Sequence, residues 1–379
     1  VTPRTKNALG LLAFAVVAAA MVWLVRRTEH REVHAIDSMP ASSFLVVTLD
    51  VDLLRASPLG APLLGGPGSQ LLADRTLAAT CGFDPLERMR EIAIAVPVED
   101  DTGEFGVAIR ADLSKDELVE CARKVIDARG GADHVTIRQS GSFTLVEPDG
   151  PLSRRYPTLA YREGGPFIVA RGAWLDTLLA TTEGKLPSVR HESRHLALRR
   201  ELGQTSDEHP AFALVATVLL PKEMRERIKR DMGPEVAGAS GSANSPALMA
   251  GVLGVESAGL GVATGDASGS ETRATIELRC EDEGACAAVA RLIDKTRREW
   301  SSDLGVRLLG LGTLLDNLGV EAKGASLRVT THAPAGEAAK WVERLLELKS
   351  GRPATPRPRP SSYPSSDEVI RPDAAAPPP

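Results

Sequence analysis

Residues Ala8–Val25 read ALGLLAFAVVAAAMVWLV, eighteen consecutive positions without a charged side chain. As a helix rising about 1.5 Å per residue, such a stretch spans about 27 Å, close to the hydrocarbon thickness of a bilayer. A segment that is apolar on every side and followed by a polar run is expected to lie in a membrane rather than in a soluble core. Trp23, near one end, suits the membrane–water interface. Ala18-Ala19-Ala20 offers the small residues of a signal-peptide cleavage site. Cleavage there would leave Met21-Val22-Trp23-Leu24-Val25 as an apolar new terminus, so an uncleaved signal-anchor is the expectation. Arg4 and Lys6 precede the segment and Arg26, Arg27 and Arg31 follow it, so flanking charge does not fix the orientation. Short tails ahead of a first apolar segment tend to stay inside, and large following domains translocate largely regardless of charge. The expected location is therefore the bacterial inner membrane, single-pass, with the bulk of the chain in the periplasm.

The rest of the chain divides by composition. Residues 1–7 are an N-terminal tail, 8–25 the anchor and 26–39 a polar linker, with Pro40 opening the folded part. Residues 350–379 hold proline at high density with little that is apolar, and are expected to be disordered. Between linker and tail lie about 310 residues, enough for two domains or one large two-lobed one. Aromatic residues are only 4% of the chain, so the core must rest on Val, Leu, Ile and Ala. A net charge of −5 lacks the basic stripe that nucleic-acid binding favours, and no nucleic-acid partner is expected.

Strand and helix signals alternate throughout. SFLVVTLD (43–50) and EIAIAV (91–96) read as strands. FGVAIRA (105–111) is followed by Ser114, which caps a helix over 115–129 with Glu117 completing a capping box. Two hairpins are expected, about Ser140-Gly141-Ser142 and about Glu163-Gly164-Gly165-Pro166. AFALVATVLL (211–220) leads through Pro221 into a helix, and strands over 255–264 and 273–279 precede a helix over 284–300. Val125-Ile126-Asp127 and Leu292-Ile293-Asp294 occupy matching places in the two strand–helix units, a hint of internal duplication. The expected fold is α+β, in two similar lobes (40–205 and 206–349) of largely antiparallel sheet flanked by helices.

The four cysteines, Cys81, Cys121, Cys280 and Cys286, are an even number in a chain expected to be exported, and three pairings are open. Pairing neighbours, Cys81 with Cys121 and Cys280 with Cys286, keeps each bridge within one part of the chain. Loop-closure entropy would then give about 4 and about 2.5 kcal/mol. The Cys280-x5-Cys286 spacing is not that of a zinc ribbon.

The sharpest chemical motif is His191-Glu192-Ser193-Arg194-His195, which satisfies H-E-x-x-H. On a helix, His191 and His195 would share a face as zinc ligands, with Glu192 activating a bound water. Over these five residues the chain resembles the zincin metallopeptidases. It departs from them at Ser193, where that family carries a large apolar residue, and at Arg194, whose guanidinium opposes a dication. Glu208, Glu223 and Glu226 stand in the window for a third ligand, but none belongs to a second motif. The competing reading is an amphipathic connecting helix packed through Leu196, Leu198 and Leu202, with the histidines at its exposed start. His34 sits in the linker and reads as solvated.

Phosphate loops are absent. Gly259-x-Gly261 and Gly310-x-Gly312 lack the third glycine, with Thr264 and Leu315 in its place, and neither opens a helix after a strand. No G-x-S-x-G elbow is present. Asp50 and Asp52 would share a strand face as a carboxylate pair, though such residues more often cap a following helix. No cofactor site is expected; zinc is the alternative.

Pro40-Ala41-Ser42-Ser43 leading into a strand that ends in Asp50-x-Asp52, and Cys81-Gly82-Phe83-Asp84-Pro85, resemble a diffuse group of uncharacterised, membrane-anchored exported bacterial proteins. That resemblance implies no activity. The expected function is non-catalytic: binding or scaffolding of an envelope protein or polymer, with the membrane contacted through 8–25. The alternative is a zinc-dependent hydrolase built on His191, Glu192 and His195.

Overall fold

The structure, a computed structural model, describes residues 33–65, 75–98, 104–128, 135–148, 156–191, 193–203, 212–236, 251–264, 271–303, 307 and 312–350. The expected membrane span, Glu192 and the proline-rich tail beyond Ser350 lie outside them. Among the described residues no helix is long and apolar enough to cross a membrane.

The chain is mixed α+β, built on one large antiparallel sheet flanked by helices. Its strands are β1 (Ser43–Asp50), β2 (Met89–Pro97), β3 (Gly106–Ala111), β4 (Val135–Ser140), β5 (Phe143–Pro148), β6 (Thr158–Tyr161), β7 (Phe167–Ala170), β8 (Leu214–Leu219), β9 (Val255–Thr264), β10 (Glu271–Cys280), β11 (Gly319–Lys323) and β12 (Ser326–Pro334). They lie in the order β11-β12-β10-β9-β8-β1-β2-β3-β7-β6-β5-β4. The boundary expected at 205/206 does not divide the sheet. β1 pairs with β2 on one side and with β8 on the other, from Leu45↔Val218 to Leu49↔Leu214. Both halves of the chain therefore share one hydrogen-bonded ladder through β1.

The covering helices are α1 (Val51–Ala56), α2 (Arg75–Cys81), α3 (Lys115–Ile126), α4 (Gly172–Thr182), α5 (Ser193–Leu202), α6 (Glu283–Ser301) and α7 (Ala335–Ser350). Because side chains alternate along each strand, the register assigns every strand residue to a face. One face carries Val215, Thr48, Ala93, Ala108 and Ile168 in a row across five strands. The other carries Leu49, Ile92, Ile109 and Phe167.

The Thr48 face is covered by α4, by α5 and by the 3-10 turn Ala35–Ser38. Its strand residues are small where the helices sit. A Cβ on Gly106 would stand 2.2 Å from Leu178, and one on Gly261 would stand 2.8 Å from the Phe212 ring. A chain with few aromatics fills its core by bringing the layers close together, and glycine and alanine permit that approach. Gly259-x-Gly261, which reads in the sequence as a failed phosphate loop, is thus a packing seat for Leu198, Leu202 and Phe212. The Leu49 face is covered by α3, through Leu118, and by α6, through Cys286 and Val289. α3 and α6 follow β3 and β10 onto the same face of the sheet, in keeping with their matched sequences.

The cysteines pair as neighbours. Cys81–Cys121 joins α2 to α3, and Cys280–Cys286 joins the end of β10 to the start of α6. The expected capping box is formed, Ser114 accepting from the Glu117 N–H while Glu117 accepts from Ser114. The linker expected over 26–39 requires a correction at its end. Residues 33–39 pack onto the sheet, with Ala35 and Met39 fully buried and Ile36 nearly so. The apolar spacing Ala35, Ile36, Met39 had been masked by the charged residues before it.

Candidate functional site

On the Thr48 face the strand ends at Asp50, Glu91 and Arg110 extend beyond the helical cover. Asp50↔Glu91 and Glu91↔Arg110 are register partners, so the three side chains form a row across β1, β2 and β3. Above this row, a cleft of about 600 Å3 opens between the 3-10 turn and α5. The turn side contributes His34, Ile36, Val189 and Arg190; α5 contributes Leu196, Arg199 and Arg200. Arg90, Asp52, Leu53 and Phe212 complete the rim.

Local chemistry fixes each acid. Asp50 ends β1 and caps α1, its carboxylate accepting the Leu53 N–H at 2.8 Å. Burial pushes its pKa up, with the neighbouring Asp52 and Glu91 charges acting in the same direction. Asp52 is exposed and pairs with Arg55 at 2.6 Å. The capping expectation for these two aspartates therefore describes Asp50, and both also line the cleft. Burial alone would raise the Glu91 pKa. A hydrogen bond from His34 and one from the Ala35 N–H at 3.1 Å outweigh it and leave the carboxyl below its usual range. The same bond to Glu91 raises His34 above its ordinary value. His34 is thus half-buried and ion-paired, a correction to its reading as a solvated linker residue.

The cations are held differently. Arg199 is 5% exposed and donates to the Thr48 hydroxyl at 3.1 Å. Burial lowers its pKa to about 10, and the nearby Arg190 charge adds to that effect against the pull of Glu91. Arg190 pairs with Asp37 at 3.4 Å, and Arg90 with Asp112 at 2.6 Å. The sequence carried no motif for this cluster. Arg90, Arg110, Arg190 and Arg199 are separated along the chain and meet only through strand register and the docking of α5.

Of the H-E-x-x-H segment, the two histidines are described, and they are held differently. α5 begins at Ser193, so His191 lies in the turn ahead of the helix, exposed, with Nδ1 at 3.1 Å from the Ser188 hydroxyl. His195 is fully buried. Its Nδ1 lies 2.9 Å from the Thr217 hydroxyl and its Nε2 donates to the Ser43 carbonyl at 3.0 Å. Both ring nitrogens are thereby engaged within the chain, tying α5 to β8 and β1. Among the described residues no three His, Cys, Asp or Glu side chains are grouped to hold a metal ion.

No protein-family model matches the chain, and no curated protein matches it. Solved structures do. Crystal form III of TP0453 is 11% identical and covers 82% of this chain and 98% of its own, with a TM-score of 0.44. Crystal forms I and IV give 10% and 11% identity, TM-scores of 0.42 and 0.43, and coverage of 83% and 82% of this chain. Similarity at this level transfers no site or activity.

Proposed function

We propose that this chain is a non-catalytic binding or scaffolding protein of the bacterial cell envelope. It is anchored in the inner membrane through residues 8–25, with its α+β body in the periplasm as two sheet halves joined at β1. The cleft between α5 and the 3-10 turn is its binding surface. The observation that carries this reading is the cleft's chemistry. Its walls offer apolar side chains and charged groups of both signs. Among the described lining residues the only hydroxyl, that of Thr48, accepts from Arg199 rather than facing a base. Concave sites of several hundred Å3 with a few convergent polar groups are typical ligand sites. The two disulfides support an oxidising compartment.

A photoreactive residue at Leu53, on the cleft rim, tests the reading in cells against one at Glu120 on α3. Specific crosslinked products from Leu53 alone are expected. Identical products from both positions, or none from either, overturn it. The export claim is tested by thiol labelling of intact cells, where all four cysteines should resist an impermeant reagent until reduced. The alternative hydrolase reading predicts stoichiometric zinc in the metal-replete protein, lost in His195→Ala; protein free of zinc under those conditions removes it.

A further inference from the structure

We infer that β4, at one end of the sheet, pairs antiparallel with the β4 of a second copy of this chain, centred on Ile137. This surface lies outside the cleft and goes beyond the function proposed for it.

The two end strands of the sheet are guarded unequally. β11 (GVEAK) carries Glu321 and Lys323, both exposed, and charge on an edge strand discourages pairing. β4 (VTIRQS) has no lysine, proline or bulge, and it pairs with β5 in unbroken register from Val135↔Pro148 to Ser140↔Phe143. Its one charge, Arg138, is held by Glu147 on β5 at 2.8 Å. Thr136, Ile137, Arg138 and Gln139 are all exposed, Ile137 by 47%. Both faces of the strand are thus open, and among the described residues no strand lies on its outer side. An unguarded edge rich in β-branched residues is a template for another strand.

Hairpin geometry decides which backbone groups that edge offers. A two-residue loop, Gly141-Ser142, joins β4 to β5 and closes on a hydrogen-bonded pair, Ser140↔Phe143. Hydrogen-bonded and open pairs alternate from there. Ser140, Arg138 and Thr136 therefore turn their N–H and C=O groups toward β5, and Gln139, Ile137 and Val135 turn theirs outward. Set antiparallel about a two-fold axis at Ile137, two β4 strands place Ile137 opposite Ile137, Val135 opposite Gln139 and Thr136 opposite Arg138. All three outward residues then exchange both backbone hydrogen bonds with the other copy. Centring the axis on Arg138 would instead set two guanidiniums directly opposite each other, which is destabilising. An axis normal to the sheet keeps each face on its own side. Residues 33–39, packed on the Thr48 face, then lie on the same side in both copies, as two anchors entering one bilayer require. A parallel pair would turn them to opposite sides. This last point alone rests on anchoring through residues 8–25.

The test is sedimentation of the full chain in detergent micelles, with substitutions at exposed positions that leave the core intact. The wild type is expected to dimerise with a Kd below about 100 μM. Ile137→Lys, which sets two ammonium groups opposite each other, should weaken the dimer about tenfold. Ala322→Lys, exposed on β11, should leave it unchanged. Ile137→Cys should give a covalent dimer on mild oxidation, because opposed hydrogen-bonded residues stand about 5.5 Å apart at Cα, within disulfide reach. Ala322→Cys should not. A chain that is monomeric at about 100 μM overturns the proposal. So does a dimer that Ile137→Lys leaves intact, one that Ala322→Lys disrupts equally, or one that Ile137→Cys does not bridge. Crosslinking from Leu53 in the cleft is read independently of all these outcomes, so the binding-protein reading stands or falls separately.

Discussion

His195 and His191 differ by four positions and by everything else. His195 satisfies Thr217 and the Ser43 carbonyl in the core; His191 is exposed beside Ser188. A zinc pair would respond symmetrically to loss of either ring. The structure predicts asymmetry. His195→Ala should lower unfolding free energy by about 2–4 kcal/mol, from the cavity and the stranded hydrogen-bonding groups. His191→Ala should change it by less than about 0.5 kcal/mol. Urea denaturation of the two variants, with and without chelator, checks this. A second residue-scale prediction concerns His34 and Glu91. His34 is raised in the fold, so its contribution is complete below its ordinary value of 6.5 and is lost as pH rises through the raised value. Glu91 is lowered, so its contribution is complete above 4.5 and is lost as pH falls through the lowered value. The pair is therefore strongest between about pH 4.5 and 6.5. His34→Gln should cost about 1 kcal/mol near pH 5.5, and clearly less at pH 8, in stability measured across that range.

Among the elements, α5 has most to do with the site, because it carries Arg199 and Arg200 to the cleft while Leu198 and Leu202 seat it on β9. Its approach depends on the missing side chain at Gly259 and, through Phe212, at Gly261. Gly261→Ala should cost about 1–3 kcal/mol by overpacking, and Phe212→Leu in the same chain should recover part of that loss. Thermal denaturation of the single and double variants decides it; a loss that Phe212→Leu does not change would place the strain elsewhere. The same logic explains why the glycine pair misled as a motif and informed as a pattern. Two glycines on one strand face mark close approach by another layer, whereas a phosphate loop needs a helix N-terminus after the strand.

Across the molecule, one ladder runs through β1 from β11 to β4, and the disulfides fasten helices to the half that each bridge belongs to. Cys81–Cys121 closes 40 residues and Cys280–Cys286 only 6. Loop-closure entropy then predicts that replacing the first pair with serine costs about 4 kcal/mol, and the second about 2.5. Guanidinium titrations of the two double variants should keep that order; the reverse would show that native contacts, not chain entropy, dominate. The shared sheet is also why the expected division at 205/206 is not visible in the pairing. Sequence similarity between two strand–helix units says that they fold alike, and is silent on whether their edge strands then join.

Much was legible in the sequence because it depends on neighbours along the chain. Alternation in 91–96 made a strand, Ser114 and Glu117 made a capped helix start, and Asp50 at a strand end made a cap. These follow from local hydrogen bonding and periodicity, which a sequence carries in full. The even number of cysteines allowed two disulfides, with three pairings open; the fold chose the neighbour pairing. The cleft was not legible, because Glu91, Arg110, Arg190 and Arg199 become neighbours only when β2 and β3 take their register and α5 docks on β8 and β9. Nor did the sequence distinguish a metal ligand from a core histidine at His195, since burial and the partners at Thr217 and Ser43 are long-range facts. The sequence determined the elements and their alternation; the tertiary structure decided which charges face one another, because that depends on contacts between residues far apart in the chain.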